Sequence, residues 1–244
     1  MTYSLHQMED LLDNVVWHAL NGPQAHFACG TRSARRYAPG FSPIIAFADP
    51  ASPDFAGLAP CCADDEQLYC SGWSGPVPQG WDVEVEGTMA LMVWRRGLPD
   101  LDPGPEPIAL GSEHAAQALA LATLTRPGPF GPRTLELGHY CGVFEGPQLV
   151  AMAGERMLAG RFREISGVCT HPDHQGRGWA RRLMGRLIRR ALQGGEQPFL
   201  HVMHDNPRAH ALYQGMGFAD HLQPVVRVVA KRAGGAAAPL AEQG

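Results

Sequence analysis

Apolar and polar residues alternate along this chain with two different periods, and those periods mark where helices and strands fall. The clearest helical pattern is Ala180, Leu183, Met184, Leu187, Ile188, Ala191 and Leu192, spaced at i, i+3, i+4, i+7, i+8, i+11 and i+12. Such a stripe covers one face of an amphipathic helix, and Gly194-Gly195 ends it. Strand-like runs surround it. Tyr140–Phe144 and Leu149–Ala153 are joined by a turn at Glu145-Gly146-Pro147. Phe162–Thr170 ends at His171-Pro172, where proline pushes the preceding residue into extended geometry. Further on, Phe199–Met203 reads as a strand, Ala209–Gly215 as a helix closed by glycine, and Val225–Ala230 as a last strand. Before them, Ile108–Leu110 is a short apolar run, and Ser112 can cap a helix over Ala115–Thr125 that Pro127 stops.

The first hundred residues carry weaker patterns. Leu11–Leu20 predicts a short helix, and Trp81–Trp94 alternates around Asp82–Glu86 before turning apolar throughout. Pro50–Pro78, rich in Pro, Gly, Ser and Asp, reads as loops. The densest break is Gly97–Pro107, with four prolines and two glycines. It divides the chain into an N-terminal α+β unit over 1–98 (a degenerate companion domain or a lid on an acceptor pocket), a linker over 99–106, a second domain over 107–232 and a flexible tail over 233–244. Strands and helices in this order imply a layered α/β or α+β sheet domain.

Composition narrows the function classes. The chain has 244 residues, 45% apolar and 18% charged, with a formal net charge of −4. That is ordinary for a globular protein and argues against nucleic acid as partner. No run of 18 or more apolar residues exists, so no membrane partner is expected, and MTYSLHQMEDLLDN lacks the layout of a signal peptide. The six cysteines sit at no framework spacing, which predicts reduced thiols in a cytoplasm. Cys61, Cys62 and Cys70 lack the paired spacing of a zinc site, and the His171/His174 and His201/His204 pairs lack a third ligand, so no metal is expected.

The chemistry concentrates where the Phe162–Thr170 strand meets the amphipathic helix, at Gln175-Gly176-Arg177-Gly178-Trp179-Ala180. Two glycines one residue apart let the backbone turn sharply and a ligand approach it closely. The first amides of the helix have no internal partner and sit at the positive end of its dipole, so the loop suits phosphate, with Arg177, Arg181 and Arg182 adding charge. A P-loop is excluded by the missing Lys-[Ser/Thr], and a dinucleotide fingerprint by Arg181 in place of its third glycine.

With its flanks, Val168-Cys169-Thr170-His171-Pro172-Asp173-His174-Gln175-Gly176-Arg177-Gly178-Trp179-Ala180 resembles the acetyl-CoA signature of the GCN5-related N-acetyltransferases (GNAT), a Gln/Arg-x-x-Gly-x-Gly/Ala loop after a V-x-x-x-P strand end. Asn206-Pro207-Arg208-Ala209, Ala211-Leu212-Tyr213 and Gly217-Phe218 match a second motif at the family's spacing. The resemblance covers roughly Pro107–Lys231 and is strongest to the FR47-like branch through Glu164-Ile165-Ser166-Gly167-Val168. It implies a mixed, mostly antiparallel sheet split in a V, with the arm of acetyl-CoA in the V. Val168, Cys169 and Thr170 would offer backbone to that arm, Gln175, Gly176, Arg177, Gly178, Trp179 and Ala180 would hold the pyrophosphate, and Asn206 would reach in from the other side.

Transfer to an amine sets further demands. A lysine-like amine, pKa near 10.4, costs roughly 4 kcal/mol to deprotonate at pH 7. Glu164 is the candidate base. Period-2 alternation places it on one face with Ser166, Val168 and Thr170 unless a bulge intervenes, and burial is expected to raise its pKa. A structural glutamate holding a hydrogen bond is the open alternative. Tyr213 occupies the family position that protonates the leaving thiolate, with core packing as its alternative, and a backbone N–H of Val168 or its neighbour would meet the oxyanion. His204 is placed near the acceptor cleft as an aid to proton transfer. The resemblance thus implies acetyl transfer from acetyl-CoA to a primary amine of a small molecule or peptide in a ternary complex, by a monomer or a homodimer. Non-catalytic acyl-CoA binding and nucleotide binding are the alternatives. The acceptor's identity is not legible.

Overall fold

A fourteen-residue strand, Trp81–Trp94, organises the molecule. In the computed structural model, which describes residues 10–100 and 106–234, it is the fifth strand in chain order, β5. Ahead of it come α1 (Val15–Leu20), β1 (Ala28–Gly30), β2 (Ala34–Tyr37), β3 (Ile44–Phe47), α2 (Phe55–Leu58) and β4 (Leu68–Ser71). After it come β6 (Ile108–Ala109), α3 (Ala115–Thr125), β7 (Tyr140–Glu145), β8 (Gln148–Ala159), β9 (Phe162–Thr170) and α4 (Trp179–Gln193). The chain continues through β10 (Gln197–Met203), α5 (Pro207–Met216), β11 (Phe218–Leu222) and β12 (Val225–Lys231).

Among the described residues the strands form one mixed sheet, ordered β1-β2-β3-β4-β12-β5-β10-β9-β8-β7-β6, with β11 also paired to β5. The N-terminal half of β5 pairs with β12, and its C-terminal half lies between β10 and β11. The expected N-terminal unit is therefore continuous with the rest: the strand just before the proline-rich break is a central strand of the shared sheet. Residues 101–105 of the expected linker, 235–244 of the tail and 1–9 of the N-terminal segment lie outside the described residues.

Alternation along the strands sorts side chains between two helical layers. Ala90 and Met92 of β5, Ala151 and Ala153 of β8 and Leu200 of β10 pack under Leu183, Met184, Leu187 and Ile188 of α4. On the opposite face, Leu91, Val93 and Phe199 pack with Leu12, Val16 and Leu20, in and around α1. Met152 and Tyr140 pack with Ala118 and Leu121 of α3. Each large α4 side chain buried this way contributes about 1.5–3 kcal/mol, which fixes the helix, and with it the loop at its N-terminus.

The split predicted between β9 and β10 is present. They run parallel and pair only from Gln197↔Phe162 to Phe199↔Glu164; beyond that point no partner lies on the β10-facing edge of β9 among the described residues. On its other edge β9 stays paired to β8, but with a bulge: Gly154 opposes Ser166 whereas Met152 opposes Cys169. Gly167 sits at φ +62 within this bulge, a conformation that costs L-residues with a Cβ. The extra residue corrects the expected face pattern. Glu164 and Ser166 share the α1/α3 face with Cys169, while Val168 and Thr170 fall in phase with Ile165 on the α4 face.

Candidate active site

The split opens into a cleft of about 660 Å³ that runs from the glycine loop, past β9 and β10, to the strands of the N-terminal half. Its walls bring together Glu164, Val168, Cys169, Thr170, Gln175 to Ala180, Asn206 and Tyr213, whereas His204 and Arg182, also singled out from the sequence, are not among its lining residues.

At the loop, Gly176 and Gly178 have φ of +78 and +77, and a Cβ added at either would meet nothing within 4 Å. These glycines are set by backbone conformation and leave open space on the ligand side. Gly178 is the N-cap of α4, so the free amides of the first turn border the cleft. Trp179 Nε1 is buried with no hydrogen-bond partner, the kind of orphan donor that a bound oxygen would satisfy. Arg177 is ion-paired with Glu145, and the Arg182 guanidinium lies 4.9 Å from the centre of the Trp179 ring, so these two arginines brace the loop. Arg181 is exposed. These features fit a pyrophosphate-bearing group such as that of acetyl-CoA.

Across the cleft, Asn206 Oδ1 accepts from the Ala209 amide at 3.1 Å and caps α5, leaving its Nδ2 as a donor at the wall. Tyr213 is on α5, packed against Phe218, and burial pushes its phenol up to about 12. Cys169, buried on β9, has its thiol raised to about 11 by the same cause and is inert as a nucleophile at neutral pH.

Glu164 stands where the pairing of β9 and β10 ends, with a side chain 1% exposed. Arg156 holds it bidentately, Nε to Oε2 at 2.8 Å and Nη2 to Oε1 at 2.7 Å. His201 Nδ1 lies 2.8 Å from the same Oε1. The expectation that burial raises this carboxyl is overturned. Burial does act upward, but the Arg156 guanidinium and the bond to His201 outweigh it and hold Glu164 down to about 2. An ionised carboxylate only accepts, so Nδ1 of His201 carries a proton and donates it, which leaves Nε2 as the nitrogen available for proton exchange. His201 lines the cleft. The sequence pointed to His204 instead, which is exposed on the turn after β10 and lies outside the cleft wall.

Arg156 and the partnership of His201 were not found from the sequence. A signal existed: β8 and β9 form a hairpin with Ala159 opposite Phe162 and Leu158 opposite Arg163, which brings Arg156 near Glu164. Ending the first strand at Ala153 hid it.

Comparison with known proteins identifies the family. The sequence model of the acetyltransferase (GNAT) family matches residues 117–218. N-alpha-acetyltransferase RimI of Mycobacterium tuberculosis is 35% identical over 128 residues, 46% of this chain and 79% of its own length. An uncharacterized protein of Mycobacterium leprae is 31% identical over 185 residues, 68% of this chain but only 50% of that protein. The chain thus spans about half the length of that relative. A crystal structure of a GNAT-family acetyltransferase from Novosphingobium aromaticivorans superposes with a TM-score of 0.81 at 33% identity, covering 91% of this chain and 99% of that one. A GCN5-related N-acetyltransferase from Kribbella flavida, at 16% identity and TM-score 0.57 over 90% of this chain and 95% of that one, shares the fold. With the glycine loop, the split sheet and these relatives in agreement, the chain belongs to the GNAT acetyltransferase family.

Proposed function

We propose that the protein transfers the acetyl group of acetyl-CoA to a primary amine of a small molecule or peptide, by direct attack in a ternary complex. The observation that carries this reading is the continuous cleft, which joins an anion-binding helix start to a buried Arg156–Glu164–His201 cluster through unpaired strand backbone. Acetyl-CoA supplies the acyl group as a thioester. Gln175 to Ala180 would hold its pyrophosphate, the free edge at Val168, Cys169 and Thr170 would pair with its amide-bearing arm, and Asn206 Nδ2 would donate to that arm from α5.

Glu164 takes part in proton transfer as the carboxylate that fixes the His201 tautomer, and Nε2 of His201 accepts the proton of the incoming ammonium. Tyr213 keeps its proton across the neutral range and offers its O–H to the departing sulfur. From a phenol near 12 to a thiolate near 8.5, complete transfer is uphill by about 5 kcal/mol, so its part is a hydrogen bond that strengthens as charge develops. The Val168 N–H is the donor assigned to the oxyanion.

Calorimetric titration of the purified chain with acetyl-CoA, using ATP as control, tests the reading. Micromolar acetyl-CoA binding without an ATP response supports it. No acetyl-CoA binding by folded protein would overturn it and leave the glycine turn with a packing role alone.

A further inference from the structure

We propose that the acceptor is an amine bearing one positive charge on an apolar body, and that the cleft turns away polyamines and other polycations; this rests on the acetyltransferase reading above. The acceptor's place follows from the phase of the strands. Phe199, His201 and Met203 alternate with Leu200 and Val202 along β10, and Phe199 packs on the α1 face while Leu200 and Val202 pack under α4. His201 and Glu164 therefore face the α1 side. There the wall is carried by adjacent strands: Met203 opposes Met89 across β10 and β5, Val225 opposes Thr88 across β12 and β5, and Val226 opposes Ser71 across β12 and β4.

The cleft residues on this side are Val16, Ile44, Met89, Met203 and Val226, with Tyr69 and Ser71 as polar groups from β4. None of them is acidic. Among the described residues that line the cleft Glu164 is the single carboxylate, and its charge is already matched by Arg156. Arg126, Arg181 and Arg208 line the same cleft with no carboxylate against them among the ion pairs of the described residues. A second ammonium on the acceptor would meet apolar wall or arginine, never a counter-charge, and would lose its water without compensation. One amine reaching His201, followed by an alkyl or aryl body against Met89, Met203 and Val226, satisfies the site.

The test measures kcat/KM from CoA thiol release by the full chain at saturating acetyl-CoA, with hexylamine, 2-phenylethylamine and spermidine as acceptors. The monoamines are expected to exceed spermidine tenfold or more. Spermidine equal to or better than both would overturn the proposal, as would turnover of no monoamine by protein that binds acetyl-CoA. Failure to bind acetyl-CoA at all is the distinct result that removes the acetyltransferase reading beneath it. Met89→Glu and, on the half-exposed end of β4, Ser71→Asp each introduce a counter-charge, and either variant that melts cooperatively is expected to narrow the monoamine preference at least threefold. An unchanged ratio in such a variant would overturn the placement of the acceptor.

Discussion

Buried between Arg156 and His201, the Glu164 carboxylate has two neighbours that favour its ionised form, and its pKa of about 2 lies below its ordinary value of 4.5. A depressed carboxylate contributes stability that is complete above the unfolded value and lost as pH falls through the folded one. The contribution, on the order of 3 kcal/mol, should therefore disappear between about pH 5 and pH 2, and urea unfolding midpoints across that window measure it. Substitution separates structure from chemistry here. Glu164→Gln strands the Arg156 cation in the interior and should cost about 3–5 kcal/mol. Pairing it with Arg156→Met should restore most of that stability while kcat stays low, because His201 has lost its anchor. His201→Gln should lower kcat by roughly 10²–10⁴-fold with the KM for acetyl-CoA little changed. Steady-state kinetics beside urea melts distinguish these cases. A His201→Gln enzyme with wild-type kcat would remove His201 from the chemistry.

In the proposed reading the loop between β9 and α4 binds through its backbone, so its glycines are the informative positions. At Gly178 a methyl group meets no neighbour, yet φ +77 penalises any Cβ by about 1–2 kcal/mol. Gly178→Ala should thus fold with a modest loss of stability and bind acetyl-CoA at least tenfold more weakly, a difference read by calorimetry; unchanged affinity would show that no ligand approaches the loop there. Legibility differed sharply between elements of this kind. β5 and β9 were readable to the residue as long apolar or alternating runs bounded by clear breaks, and α4 through its complete stripe, which follows from its single buried face. β1 to β4 were not, since each has only three or four residues, too few to display a period, and β3 is buried throughout. The β9 bulge was invisible as well: Gly167 marks it, but only pairing with β8 shows that alternation is broken there. In the same way, the loop and Tyr213 could be found from local motifs, whereas the partnership of Arg156, Glu164 and His201 depends on three strands meeting.

At the scale of the whole molecule, the unbroken strand order from β1 to β6 predicts a single cooperative thermal transition. Truncation to residues 107–244 should not yield a folded acetyltransferase. It deletes β5 and leaves β10, β11 and β12 with open edges and the α4-facing surface of Ala90, Met92 and Trp94 missing. Soluble expression of that fragment with a native-like circular dichroism melt would contradict this.

The continuity of β5 also bears on how such an enzyme can change. The middle of this strand carries Met89, opposite Met203 of β10 and part of the proposed acceptor wall, and its C-terminal end is locked between β10 and β11. Because a strand's faces interchange with every single-residue slip, an insertion that retuned the wall would turn the catalytic end over as well. New substrate preference is therefore open to point substitutions along the wall and closed to grafting of a foreign N-terminal half, so a lineage carrying this architecture would diversify by side chains rather than by exchange of parts.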